Sequence, residues 1–439
     1  MPPALGRRLA ALSEARTDLG GTSYLQLVGL GALIGVPAAL VAALFLAFVH
    51  DLEHWLWSDL PDRLGHSSPP WYLVVGLPLV GAFVVLVARR FLPGDGGVSP
   101  LLGLQGEKPP PISHAPGIAI AAVGTLSFGA VLGPEMPLIA LGMIVGLLVG
   151  PILRLGETER AILAGAGGFS AISALFGGPI VGGVMMVESG AAGLGASLAP
   201  ALLPGFVAAA TGYVVFIGFG SWGGLGTPGL AEPGLPPYQG THIYDLILAV
   251  VVGVVTAIIV TVVRRLAHRV ADLPRPELPV VLLAGGLAVG ILAEVADLLG
   301  ANSQDVLFSG QASVPGLVAE NSAKIVLVLL LFKGLAYAIS LGCGFRGGPI
   351  FPAIYLGIAV IAFPVVWFDI SPTVAVAIGA AAGMAAMTRL LLTPMLFAAL
   401  LVGLEGVDTV PAAVLAASSA WLAMRAIDRR DEETSPAAT

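Results

Sequence analysis

From Tyr24 to Val49 the chain carries no Asp, Glu, Lys or Arg, and about 20 apolar residues suffice to cross a bilayer as a helix. Charge-free stretches recur at Trp71–Ala88, Met136–Leu153, Ala161–Val187, Ser189–Ala231, Leu246–Val263, Gly347–Phe368, Ile370–Thr388 and Leu390–Leu404. This pattern predicts an all-α polytopic membrane protein with at least ten membrane segments. Several stretches are too short or too broken by Gly and Pro to span alone, which marks helices that stop partway through the bilayer. Composition agrees: charged residues make up 11% of the chain, against about 25% in soluble proteins.

The same inventory excludes several function classes. A net charge of −7 with no basic tract gives nucleic acid nothing to bind. The single cysteine, Cys343, rules out a disulfide framework and a multi-thiolate metal site. Two of the six histidines, His50 and His54, stand four residues apart, but no HExxH motif, Ser/His/Asp set or paired intramembrane acids mark an enzyme. No metal or cofactor is expected. The run from Tyr24 is too long for a signal peptide and reads as a retained first helix. Positive charge gathers at Arg7 and Arg8, Arg89 and Arg90, Arg264 and Arg265, and from Arg425 to Arg430. The positive-inside tendency then places both termini in the cytoplasm of a cell membrane.

An internal repeat divides the chain. Gly133-Pro134-Glu135-Met136-Pro137-Leu138-Ile139-Ala140-Leu141-Gly142 aligns with Gly348-Pro349-Ile350-Phe351-Pro352-Ala353-Ile354-Tyr355-Leu356-Gly357, identical at six of ten positions. The offset, 352 − 137 = 215, also carries Pro100 to Pro315, Pro179 to Pro394 and Gly168 to Gly383. The expected organisation is an N-terminal segment at 1–23, a first membrane repeat at 24–220, a connection at 221–240, a second repeat at 241–426 and a short tail at 427–439. Spacing does not say whether the repeats are parallel or inverted.

Gly/Pro-rich turns at Gly94–Pro100, Gly133–Pro137 and Gly344–Pro352 each read as the approach to a helix start. A helix start exposes unpaired N–H groups and about half a positive charge. Several aimed at one point bind an anion without Lys or Arg. Packing kinks are the plain reading of one such turn; a set repeated at one offset favours a site. Glu135 stands inside one turn with apolar sequence on both sides. It is either a complement to the helix dipole or an intramembrane carboxylate that competes with an anion for the same donors and lets go when protonated.

These residues resemble the CLC family of chloride channels and chloride/proton antiporters over roughly residues 24–426, and look like a divergent bacterial branch of it. Gly133–Pro137 is similar to the family's G-[KR]-E-G-P element, whose glutamate is the external gate, and Gly347–Pro352 to its GGxFxP element. Phe176–Glu188 resembles the helix ending in the inner acidic pair, and Lys333 also looks family-like. The resemblance implies two inverted structural repeats with broken helices, a homodimer in the lipid bilayer with one pore per subunit, and no counterpart of the family's cytoplasmic nucleotide-binding module. It implies Glu135 as gate and proton carrier, while Glu188 is open between a second proton site and a structural helix-end acid. The expected anion-binding set is Gly97, Val98, Ser99, Pro134, Met136, Ile350, Phe351 and Thr409.

Five departures bear on function. Pro134 and Met136 replace a basic residue and a glycine of the first element. Ser189 replaces the second acid of the inner pair. Pro349, which has no N–H, stands where the family uses a backbone donor. No tyrosine lies near Glu405–Pro411, where Thr409 is the nearest stand-in, and Gly97 takes the family's serine position, with Ser99 the nearest hydroxyl. The expected activity is exchange of a small inorganic anion, chloride foremost, for protons. The alternatives are a passive channel and a fluoride- or nitrate-selective member. Arg389 reads as a structural tie, while Lys333 is open between a tie and a source of positive potential.

Overall fold

The computed structural model of the chain describes residues 21–104, 109–190, 198–222, 235–273, 277–368 and 370–434. Residues 1–20 of the expected N-terminal segment, much of the 221–240 connection and the end of the tail lie outside the described residues. Among the described residues every regular element is helical, and the one β-type pairing is an isolated bridge. Eight helices among the described residues are long and apolar enough to cross a membrane. Shorter apolar helices at Ile112–Leu126, Pro179–Glu188, Leu202–Gly218, Pro372–Thr388 and Leu392–Val402 are the interrupted pieces that the Gly and Pro content predicts.

In order these are α1 (Gly21–His54, running on through a π turn to Arg63), α2 (Trp71–Phe91), α3 (Ala115–Leu126), α4 (Glu135–Leu153), α5 (Glu157–Leu175), α6 (Pro179–Glu188), α7 (Leu198–Trp222), α8 (Ile243–Ala271) and α9 (Leu278–Leu298). The short α10 (Ser303–Val306) and α11 (Val314–Val318) follow. Then come α12 (Ala323–Gly342), α13 (Ile350–Phe368), α14 (Pro372–Thr388), α15 (Leu392–Val402) and α16 (Val410–Thr434).

Contacts divide the chain into two compact units. The first holds the start of α1, α4 from Ile139 onward, and α5 to α7. Small residues let its helices approach closely, as in membrane bundles generally. Gly142 and Gly146 of α4 face Gly167 and Leu163 of α5, where any side chain would overlap backbone. Ser170 Oγ donates to Gly35 O at 2.7 Å and Thr211 Oγ1 to Ala32 O at 2.9 Å.

The second unit holds Leu44–Gln105, Ser113–Leu138 and Pro228–Thr439. Its centre is α13, which is buried without interruption from Ile350 to Ala362. A helix apolar all round belongs inside. Gly357 and Gly379, with Gly383 against Ala353, bring α13 and α14 into backbone contact. The turn Gly94–Pro100 leads into a single 3-10 turn, Pro100–Leu102, a shorter helix start than those at Glu135 and Ile350.

The segment between α3 and α4 is buried without being helical, so its polar groups need partners. Trp57 Nε1 donates to Ser127 O (3.0 Å), Ser127 Oγ to Val49 O (3.1 Å), Val131 N to Ser340 Oγ (3.0 Å) and Phe308 N to Gly129 O (3.3 Å). These bonds hold the approach to Glu135 in place. The bidentate pair Arg389–Asp428, both bonds at 2.7 Å, ties the end of α14 to α16, in line with a structural role for Arg389.

Candidate anion site

Two segments enter the site alike. Gly133-Pro134 leads into α4 at Glu135, and Gly348-Pro349 leads into α13 at Ile350. Gly133 N donates to Gly348 O at 2.7 Å, and Gly348 N returns the bond to Gly133 O at 2.5 Å. Since 348 − 133 = 215, the bridge joins equivalent residues of the sequence repeat. Reciprocal contact between equivalent residues is what a local twofold produces. The repeat itself thus brings the two helix starts together.

The first N–H groups of a helix have no intrahelical acceptor. On α13, Ile350 N and Phe351 N both donate to Glu135 Oε1, at 2.8 and 3.1 Å. Pro352 and Pro137 stand third in their helices, where a missing N–H removes no bond. The Glu135 side chain is completely buried, and its Oε2 has no hydrogen-bond partner. No ion pair reaches it among the described residues. A carboxylate oxygen therefore sits where backbone donors would hold an anion.

Two features shape that seat. A methyl group added to either Gly133 or Gly348 would overlap the Glu135 carboxylate, so both positions must be glycine for the acid to fit. Tyr337, buried on α12, donates its hydroxyl to Pro349 O, the carbonyl just before the Ile350 donor. Sequence reading missed Tyr337; the signal was a lone phenol in an apolar helix upstream of a proline that cannot donate. The ring of Phe351 meets Phe397 edge-on at 6.3 Å, and an apolar cleft lined by Gly310, Val314, Ile354 and Leu401 reaches it.

The structure gathers Glu135, Pro134, Met136, Ile350 and Phe351 at this point. Pro134 O accepts from Leu138 N at 3.1 Å, closing the first turn of α4, and Met136 is half-buried. Gly97, Val98, Ser99 and Thr409 belong to other turns of the second unit. Gly97 N donates to Gly94 O at 2.9 Å within its own turn, and Val98 and Ser99 are half-buried, Ser99 in extended backbone before Pro100. Thr409 is buried, with its hydroxyl donated to Gly406 O at 2.6 Å. Glu188 ends α6 in the first unit, and Ser189 Oγ donates to Met185 O at 2.6 Å.

Two basic clusters lie in the second unit. Lys333 is fully buried on α12, its Nζ donating to the carbonyls of Asp305 (2.8 Å), Val306 (3.3 Å) and Leu307 (2.8 Å). It also stands 4.5 Å from the Tyr355 ring centroid, a cation–π distance. Nearer the surface, Arg89 grips Asp95 through two bonds of 2.8 and 2.9 Å, and Arg346 grips the same carboxylate. Partial burial pushes the Asp95 carboxyl up, but bonding and charge from Arg89 and Arg346 outweigh it and hold the group below the usual carboxylate range.

Comparison with known proteins gives the family and the fold. A family model described as voltage gated chloride channel matches residues 80–424. YfeO of Escherichia coli O1:K1 / APEC, a protein named for ion transport, is 30% identical over 334 residues, covering 74% of this chain and 76% of that protein. Its counterpart in E. coli strain SMS-3-5 is 28% identical over 340 residues, with the same coverage. Among solved structures, a slow cyanobacterial Cl−/H+ antiporter is similar in fold at TM-score 0.76 and 17% identity, over 91% of this chain and 94% of that one. A CLC-type fluoride/proton antiporter is similar at TM-score 0.66 and 21% identity, over 92% and 96%.

Proposed function

The chain belongs to the voltage-gated chloride channel family, the CLC family, and on that premise we propose that it exchanges a small inorganic anion, chloride foremost, for protons. Anion transport is the business of the family; the exchange, the ion and the roles of single residues are our reading. One observation carries it. Glu135 Oε1 occupies the donors of Ile350 and Phe351, with no side-chain cation paired to it among the described residues.

Charged, the carboxylate is a tethered competitor for those N–H groups. A proton arriving at Oε2, which has no other partner, neutralises the acid and weakens its hold, because bonds to an ionised acceptor are about twice as strong as neutral ones. The side chain then leaves, a free anion takes the two donors, and the proton travels with the acid. Ile350 N and Phe351 N, with the start of α4 at Pro134 and Met136, would form the seat. Gly97, Val98, Ser99 and Thr409 stand as further contacts along the path, and Glu188 as a second proton site. We assign the protein to a cell membrane as a homodimer with both termini cytoplasmic.

Proteoliposomes loaded with chloride, followed with chloride and pH electrodes together, test the reading. Chloride efflux that drives protons uphill, lost in Glu135→Gln while chloride efflux persists, is the expected result. Chloride efflux without a proton signal would make the protein a passive channel, in keeping with Ser189. Efflux of fluoride or nitrate alone would move its selectivity. Proton movement surviving in Glu135→Gln would remove this acid from the gate.

A further inference from the structure

The turn Gly94–Gly97 holds a second carboxylate in a second anion's place. Arg89 Nε and Nη2 donate to Asp95 Oδ1 and Oδ2, Arg346 Nη2 joins on Oδ2, and Arg346 Nε donates to Asp95 O at 2.9 Å. The side chains of Arg89 and Arg346 are 11% and 7% exposed, whereas that of Asp95 is 53% exposed. Two nearly buried guanidinium groups therefore share one carboxylate that faces water. Among the described residues neither arginine has another acidic partner, so the cluster keeps one uncompensated positive charge.

The cradle would persist without Asp95. Arg89 Nη1 donates to Gly344 O at 2.8 Å, and Arg346 N donates to Thr125 Oγ1 at 3.2 Å. Arg346 also precedes Ile350 by four residues, on the loop that delivers the α13 donors. The carboxylate, in contrast, is borne on a turn with glycine at 94, 96 and 97, all at positive φ. Glycine lets the turn hold the left-handed backbone that aims the acid at the arginines, and rotation of the half-exposed Asp95 side chain alone turns it out into water. Planar guanidinium groups match carboxylates and other anions alike, and are weakly hydrated, which suits them to a partly buried anion.

We propose that Arg89 and Arg346 form a second anion site, separate from the seat of Glu135, which takes a small monovalent inorganic anion when Asp95 swings away. Asp95 is its built-in competitor, so the site fills only as the free anion rises high enough to displace a tethered one. The inference rests on the transport reading for the identity of the anion alone.

Bromide is the probe, because it can be located by anomalous scattering and titrated calorimetrically. Full-length protein in detergent is compared as wild type, Asp95→Asn, which keeps a side chain that tolerates left-handed backbone, and Asp95→Gly, for which φ 49° is unstrained. Both variants should gain one bromide per subunit, located between Arg89 and Arg346 and bound at least about tenfold more tightly than wild type binds there, as expected when a charged competitor worth about 1.4 kcal/mol or more is removed. Adding Arg346→Gln should abolish that ion. Folded Asp95 variants with unchanged stoichiometry and no bromide at the arginines overturn the proposal. Bromide at the arginines with none at Ile350 and Phe351 in Glu135→Gln would instead sink the transport reading and leave this site standing.

Discussion

Gly133 and Gly348 hydrogen-bond to each other in both directions, although 215 positions separate them. The pair works as a clasp. It fixes two helix starts at one point, and the absent side chains leave the space that the Glu135 carboxylate fills. The two repeats are not interchangeable there: the position after Gly-Pro is Glu135 in one and Ile350 in the other. One half supplies the acid and the other supplies the donors.

Gly348→Ala should therefore expel the acid without altering it. Its methyl group would compete with the Glu135 carboxylate for one volume, and overpacking of this kind costs about 1–3 kcal/mol. At about 1.4 kcal/mol per factor of ten, occupancy of the seat by Glu135 falls about tenfold or more. Anion efflux from proteoliposomes should persist at acid and neutral pH alike, while coupled proton movement drops by a similar factor. The double variant with Glu135→Gln should add nothing further to the loss of coupling. Full coupling in Gly348→Ala would show that the acid does not work from this seat.

The part of the site written twice in the sequence was the legible part. The Gly-Pro-x-x-Pro turns announce themselves by repetition, and a single acid within one of them is conspicuous against charge-free flanks. The fold class followed from the same runs, because lipid leaves few ways to satisfy a backbone. The remainder was written once and across long separations. Arg346 finds Asp95 over 251 positions, and no local pattern ties an arginine to a carboxylate so far away. Tyr337 looks like one more bulky residue of an apolar helix until Pro349 is seen to need a donor. Thr409 shows the opposite limit: a hydroxyl at a promising position is claimed by a carbonyl three residues away.

Tyr337→Phe tests the positioning of the donors. Removing the phenol oxygen leaves Pro349 O buried without its partner, at a cost of about 1–3 kcal/mol. The loop then holds Ile350 N and Phe351 N less firmly. Apparent chloride affinity should weaken by about threefold to tenfold, and in the Glu135→Gln background as well, because the donors and not the acid are disturbed. A melting point lowered with unchanged chloride affinity would assign Tyr337 to packing alone.

Lys333 is a buried basic side chain in a membrane helix, and its partners decide what it does. Its three acceptors are consecutive carbonyls at the end of α10, so the side-chain amine is spent on the chain's own backbone. Intramembrane cations commonly mark ion paths, yet here the first loss should be structural. Lys333→Met would leave three buried carbonyls without this donor, and with about 1–3 kcal/mol for each unsatisfied group the detergent-solubilised protein should melt several degrees lower. Lys333→Gln, which keeps two donors, should recover part of that loss. Chloride affinity should follow stability in both variants. If instead Lys333→Gln matches the wild-type melting point while chloride affinity falls as far as in Lys333→Met, the charge acts on the anion and the structural assignment fails.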